Sequence, residues 1–467
     1  MAVLENQIDE IVRKVVKELK KTENTEISKG NKFGVFEDMN KAIEAAALAQ
    51  KKFKDYSLEY REKIINSMRE EIRKNIKYLS RLAFEETQMG RYEDKIKKNK
   101  LVIEKTPGVE DLKSEVFTGD NGLTLLELSP YGVIGAITPS TNPTETIICN
   151  SIGMIAAGNA VVFSPHPRAK NASITTIEIL NEAIEKAGGP KNLIVTVSDP
   201  NIEKAQVMME HEKIDMIVAT GGPGVVKAAL SSGKKAIGAG AGNPPVVVDE
   251  TAEIEKAAKD IIEGCSFDNN LPCIAEKEVV VVDNVADYLI FCMKQNNALL
   301  IEDRKDLNRL EKLILEPDGK PNKDYIGKNV SYILKKAGIE CEDSVKVAIM
   351  EVDKNHPFFK EELMMPILPI VRAKDVDEAI KMAIEAEGGN RHTAIMHSKN
   401  IDNLTRFAKE IKTTVFVKNG PSFAGIGFGG EGFTTFTIAG PTGEGLTSPR
   451  SFTRKRRCVL VGGFTIK

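Results

Sequence analysis

The sequence predicts an α/β protein with two bodies, each built on a parallel sheet with crossover helices. Two observations predict it. Short apolar runs alternate with helical segments in two separate series, the second beginning after Cys273. A chain of 467 residues, 42% hydrophobic, is also long enough to fill two or three cores.

Residues 1–21, "MAVLENQIDEIVRKVVKELKK", place Leu4, Ile8, Ile11, Val12, Val15, Val16 and Leu19 at helical spacing, with Asp9/Arg13 and Glu10/Lys14 as i,i+4 pairs. The polar linker 22–32, "TENTEISKGNK", detaches this amphipathic helix from the body, so its apolar stripe must be covered by its own domain or by a partner. Its polar face mixes acids with bases, which does not suit a membrane surface. From about 35 to 100 the pattern is helical. From Leu123 onward "YGVIGAITP", "NAVVFSP", "NLIVTVSD" and "IDMIVATGG" read as strands, with "SITTIEILNEAIEKAGG" as a crossover helix. Ligands bind at the carboxyl ends of such strands, which carry "TPSTNP", "SPHP" and "TGGPG". The second series runs from "VVVV" through "VKVAIMEV", "ILPIVRAKD" and "HTAIMHS" to "TTVFVKNG". The stretch 303–345, with "EPDGKPNKDY", reads as a solvated insertion.

The charge balance, 65 Lys+Arg against 67 Asp+Glu, gives no general attraction to nucleic acid or to a membrane. Six cysteines without a CxxC pair, five histidines and no HExxH argue against a disulfide scaffold and a metal site, and point to a reducing cytoplasm. No apolar run approaches the ~20 residues of a membrane span, and the N-terminus is not a secretory signal.

The chemistry concentrates in two loops. In "FDNNLPCIAEKEVVVV", Cys273 follows a proline and precedes a strand, where backbone amides can stabilise a thiolate and later an oxyanion. Taken alone, a cysteine before a strand is more often core than nucleophile. In "TPSTNPTET", Asn142 can offer an amide donor to a carbonyl oxygen, or simply shape a turn beside Pro143. The glycine-rich "TGGPGVV" lacks the GxGxxG order and GxxxxGK[ST] does not occur, so a dinucleotide is suggested by architecture only.

"TPSTNP", "AAGNAVVFSPHP", "ATGGPG", "GAGAGNPPVVV", "FDNNLPC" and "EELMMPILPIV" occur in the order and at about the spacing of the aldehyde dehydrogenase superfamily, which the chain resembles from Phe33 onward. "NPTETIICNSIGMIAAGNAVVFSPHP" and "SFDNNLPCIAEKEV" resemble its coenzyme A-acylating branch, the propionaldehyde and acetaldehyde dehydrogenases. The resemblance implies two Rossmann-like domains and a small β oligomerisation arm. It divides the chain into a targeting helix 1–21, a linker 22–32, a dinucleotide-binding domain 33–118 and 131–245, an arm 119–130 and 446–467, and a catalytic domain 246–445. Residue by residue, it makes Cys273 the nucleophile and Asn142 the oxyanion donor. It puts Glu362 on the nicotinamide ribose and Thr138, Pro139, Ser164, Gly222 and Gly240 along the groove for NAD, with His166 and Arg168 near it for coenzyme A phosphates.

Hydrolytic members carry a glutamate at the start of an "ELGG" segment, and Gly238 stands there in this sequence. Without that base a thiol outcompetes water for the acyl-enzyme. The expected reaction is therefore oxidation of a short-chain aldehyde, propionaldehyde before acetaldehyde or butyraldehyde, to an acyl-CoA. The rivals are a hydrolytic or phosphorylating aldehyde dehydrogenase and a non-catalytic protein of the same fold. Residues 1–21 resemble the peptides that carry such enzymes into the lumen of a bacterial microcompartment, with a shell protein as partner. A homo-oligomer, dimer or tetramer, is expected.

Overall fold

The computed structural model describes residues 33–466. The expected targeting helix and linker lie outside the described residues. A first sheet of six strands is parallel throughout, in the spatial order Val35–Phe36, Ile194–Val197, Ala160–Pro165, Val133–Thr138, Met216–Thr220, Lys235–Ala239. After Val133–Thr138 the chain builds outward on one side, then returns to add Met216–Thr220 on the other. That reversal opens a crevice at the carboxyl ends of these two strands.

A second sheet of seven parallel strands runs Ala298–Leu300, Val347–Glu351, Ile367–Ala373, Glu278–Val282, Pro245–Val248, Thr393–His397, Val415–Lys418. Its central strands carry continuous Val and Ile because both faces are covered. After Val415–Lys418 the chain returns to the first body, where Ile426, Phe436, Ile438 and Phe452 join its core. A third, antiparallel sheet pairs Gly122–Pro130 with Glu115–Gly119 on one side and Thr453–Val461 on the other. It stands exposed, with Val116, Phe117, Val459, Leu460 and Val461 open to solvent.

Residues 303–345 are not a solvated insertion throughout. The helices Arg304–Ile314 and Val330–Lys336 bury Leu310, Ile314, Val330, Ile333 and Leu334 against Ala348, Met350 and Ile367 of the second sheet. The helical spacing of Leu307, Leu310, Leu313 and Ile314 was the signal, masked by the turn-rich "EPDGKPNKDY" between the two helices. No described helix is long and apolar enough to cross a membrane.

Candidate active site

A cavity of about 1010 Å³ follows the carboxyl ends of the first sheet and reaches the loop before Glu278–Val282. Cys273, Asn142, Thr138, Pro139, Ser164, His166, Gly222, Gly240 and Glu362 all line it. Arg168 does not line it, although its charge, after burial, is among the causes that lower His166.

The turn Pro272–Ala275, closed by Ala275 N–H donating to Pro272 O at 3.0 Å, presents Cys273 to this cavity. Burial pushes its thiol up to about 12, helped by the nearby Glu362 carboxylate. Lys277, a hydrogen bond from the cysteine's own amide and Lys98 pull the other way. Lys277 is itself buried and donates to the Asn270 carbonyl and carboxamide oxygens at 2.9 and 2.6 Å, with Glu362 4.0 Å away. Burial raises Glu362 too, against Lys277 and the Gly242 amide.

Three residues before that turn hold left-handed backbone: Asp268, Asn269 and Asn270, at φ 47°, 55° and 66°. Asp and Asn tolerate this region best among residues with a β-carbon. Each is also tied by its side chain. Asp268 accepts the Arg91 amide at 2.7 Å and lies 2.6 Å from Lys98 Nζ and 3.4 Å from Lys95 Nζ. Asn269 donates to Gly327 O and Asn329 Oδ1 at 2.9 and 2.8 Å, and Asn270 to Cys265 O and Glu276 O at 3.0 and 2.9 Å. Phe267, at the head of the segment, stacks on Phe428 with centroids 5.5 Å apart.

Asn142 is the N-cap of the helix Pro143–Ala156, yet its side chain makes no cap hydrogen bond. An asparagine at this position ordinarily accepts from the first turn. Here the carboxamide oxygen instead accepts from Lys98 Nζ at 2.6 Å, and Nδ2 lies 3.2 Å from Thr141 Oγ1, beside the cavity.

Sequence reasoning missed the buried charges. Lys95, Lys98 and Asn99 share the buried face of Tyr92–Lys105 with Val102, while Lys97 and Lys100 face solvent. Their i,i+3/i+4 spacing on the apolar face was readable, but lysines in a lysine-rich segment are ordinarily solvated. His392 was missed as well. Burial, with the charge of Lys277, lowers it to about 4, so it is neutral. Its Nδ1 pairs with Thr393 Oγ1 at 2.9 Å, and its Nε2 has no partner among the described residues.

The carboxylate-free segment needs correcting. Gly238 lies within the strand Lys235–Ala239 and does not reach the cavity, and a β-carbon there would meet Val226 Cγ1 at 2.7 Å. Ala239, Gly240 and Ala241 line the cavity in its place.

A dinucleotide fits the rest of the groove. Thr138 Oγ1 is buried without a partner among the described residues, and β-carbons at Gly221, Gly222 and Gly224 would meet nothing within 4 Å, so a ligand can approach the backbone. The helix Pro223–Leu230 begins there, its N-terminus uncapped by any side chain and suited to a pyrophosphate.

Residues 9–440 match the aldehyde dehydrogenase family. The chain is 50% identical over 435 residues to a CoA-propanoylating propanal dehydrogenase of Salmonella typhimurium, covering 93% of each. A propionaldehyde dehydrogenase of Rhodopseudomonas palustris, solved with bound CoA and an acylated cysteine, is 58% identical, with a TM-score of 0.92 over 93% of this chain and 99% of that one. One from the fucose utilisation microcompartment of Clostridium phytofermentans is 53% identical, with a TM-score of 0.92 over 93% and 100%.

Proposed function

The chain belongs to the aldehyde dehydrogenase family, and we propose that it oxidises a short-chain aldehyde, propionaldehyde first, and passes the acyl group to coenzyme A. The observation that carries this reading is one cavity holding Cys273 and Asn142 with no carboxylate among Ala239, Gly240 and Ala241.

Cys273 adds to the aldehyde carbonyl as a thiolate, opposed by burial and Glu362 and favoured by Lys277, its own amide and Lys98. The oxygen that becomes negative takes hydrogen bonds from Asn142 Nδ2 and from backbone amides of the nucleophile turn. Thr138, Pro139, Ser164, Gly222 and Gly240 would hold NAD, with Glu362 on its nicotinamide ribose and His166 near the coenzyme A phosphates. When bound, NAD supplies the hydride acceptor. Loss of hydride leaves an acyl-cysteine at Cys273. The thiol of coenzyme A then attacks the acyl carbon, the C–S bond to Cys273 breaks, and the proton of the incoming thiol balances the departing thiolate.

Incubating the protein with propanal and NAD⁺, and with coenzyme A, phosphate or neither, tests the reading. NADH and propionyl-CoA formed only with coenzyme A are expected. Free propionate or propionyl phosphate would make it a hydrolytic or phosphorylating enzyme, and no turnover at all a non-catalytic relative.

In this reading residues 33–118 and 131–245 bind the dinucleotide, 246–445 carry catalysis, and the arm 119–130 with 446–467 joins subunits into a dimer or tetramer. The exposed apolar residues of the antiparallel sheet support the last point. Residues 1–21 direct the enzyme to a shell protein and the lumen of a microcompartment, a location supported by the Clostridium relative. A fluorescent fusion of this segment that stays diffuse in shell-producing cells would overturn that assignment.

A further inference from the structure

Lys98 lies on the helix Tyr92–Lys105, wholly shielded from solvent, with a side chain that no part of the proposed reaction has yet used as a donor. An ammonium has three N–H donors. Lys98 has three acceptors around it: Asn142 Oδ1 at 2.6 Å, Asp268 Oδ2 at 2.6 Å and Glu145 Oε1 at 3.0 Å. One donor is spent on the carboxamide of the oxyanion residue, and the two carboxylates hold the ammonium as ion pairs.

We propose that Lys98 is a positioning residue that locks the Asn142 carboxamide with its oxygen inward and its NH₂ toward the cavity. The inference rests on Asn142 being the oxyanion donor. A carboxamide free to rotate presents its oxygen to the reacting carbonyl about as easily as its nitrogen, and an oxygen there repels the developing oxyanion. With Lys98 in place, the flip would turn the NH₂ against a buried cation and break the Lys98–Asn142 hydrogen bond. The N-cap position alone does not supply this restraint, because the side chain makes no bond to its own helix.

The same ammonium also reaches the other half of the site. Asp268 opens the left-handed turn that leads to Cys273, and Glu145 sits in the first turn of the helix that Asn142 caps. One cation therefore sets the donor and the nucleophile loop relative to each other.

Lys98→Met alone strands two buried carboxylates, so the main test is Lys98→Met/Glu145→Gln, which removes one charge of each sign and leaves Asp268 with Lys95, 3.4 Å away. Steady-state rates are measured with propanal, NAD⁺ and coenzyme A, alongside a thermal melt. The double variant is expected to lose about 10- to 100-fold in kcat, somewhat less than removal of an oxyanion donor outright, with KM for propanal changed less than about 3-fold.

The cycle with Asn142→Ala decides the matter. If Lys98 acts through Asn142, adding Lys98→Met/Glu145→Gln to Asn142→Ala costs at least about 3-fold less than the same change in the wild-type background, the remainder being its effect on the nucleophile loop and thiolate. An equal loss in both backgrounds, or no loss in the first, overturns the proposal and leaves Lys98 a purely structural cation. Should the double variant not fold, the same cycle with Lys98→Arg, which keeps the charge and changes the donor geometry, is read by the same criterion. Failure of the wild-type protein to make propionyl-CoA would instead remove the underlying reading of the site.

Discussion

A β-carbon placed on Gly238 would lie 2.7 Å from Cγ1 of Val226, so this position has no room for the carboxylate that hydrolytic relatives use. Gly238→Glu is therefore expected to cost about 3 kcal/mol or more in stability, through overpacking and a buried charge, without diverting the product. Ala239→Glu, whose side chain enters the cavity, is expected to raise free propionate relative to propionyl-CoA by about 3-fold or more if the carboxylate activates water. Product analysis at limiting coenzyme A checks both, and an unchanged ratio in a folded Ala239→Glu protein would refute the role given to the missing base.

Cys273 is the residue on which turnover depends. Cys273→Ala is expected to lower CoA-dependent aldehyde oxidation by about 10³-fold or more while leaving the fold intact, since Cys273 is a free cysteine on the cavity wall and only partly buried. Near-wild-type activity in that variant would move the nucleophile elsewhere.

Cys273 and Glu362 line one cavity, and the carboxylate is among the causes that hold the thiol up near about 12. In the free enzyme the thiolate fraction should then climb about tenfold per pH unit from neutrality to beyond pH 9, with no plateau. Glu362→Gln removes the negative charge, lowers the thiol pKa, and should speed alkylation at pH 8 by about 3- to 10-fold. Iodoacetamide kinetics in a Cys458→Ser background, which removes the exposed cysteine, check the sign, and slower alkylation in Glu362→Gln would contradict it.

How much of this was legible before the structure is uneven for physical reasons. The two strand and helix series were visible because parallel strands buried on both faces are written as apolar runs, and Cys273, Asn142 and Glu362 could be aligned because they sit in short loops beside such runs. Lys98, Lys277, Glu145 and Asp268 were not, because a buried charge looks like a solvated one until its partner is located, and Lys98 meets Asn142 across 44 residues of chain. The side on which Gly238 packs was hidden too, since a strand's facing follows from its register and not from its composition.

Glu276, three residues beyond the nucleophile, is fully buried and accepts from the amide and hydroxyl of Ser422, both at 2.7 Å. Burial raises it from 4.5 to about 7, against those hydrogen bonds. Between those two values the folded protein holds a proton that the unfolded chain has released. Stability from this group therefore falls as pH rises through the window and is level above it. The fall amounts to about 3 kcal/mol, and Glu276→Gln, permanently neutral, should lack it. Denaturant unfolding of both proteins at about pH 4.5 and about pH 7.5 measures the difference, which should widen in favour of the variant at the higher pH.

The left-handed turn makes a last, separable prediction. Asn269 holds φ 55° and donates to Gly327 O and Asn329 Oδ1 from a fully enclosed carboxamide. Asn269→Gly removes those bonds but keeps the backbone relaxed, and should cost about 2–4 kcal/mol for the polar groups left unpaired. Asn269→Ala removes the same bonds and also holds a β-carbon in the left-handed region, so it should be about 1 kcal/mol less stable than the glycine variant. Because the turn feeds directly into the loop of Cys273, the alanine variant should also lose more kcat than the glycine one. Equal stability of the two variants in denaturant titrations would mean that the backbone has rearranged, and that hydrogen bonding rather than conformation fixes the approach to the nucleophile.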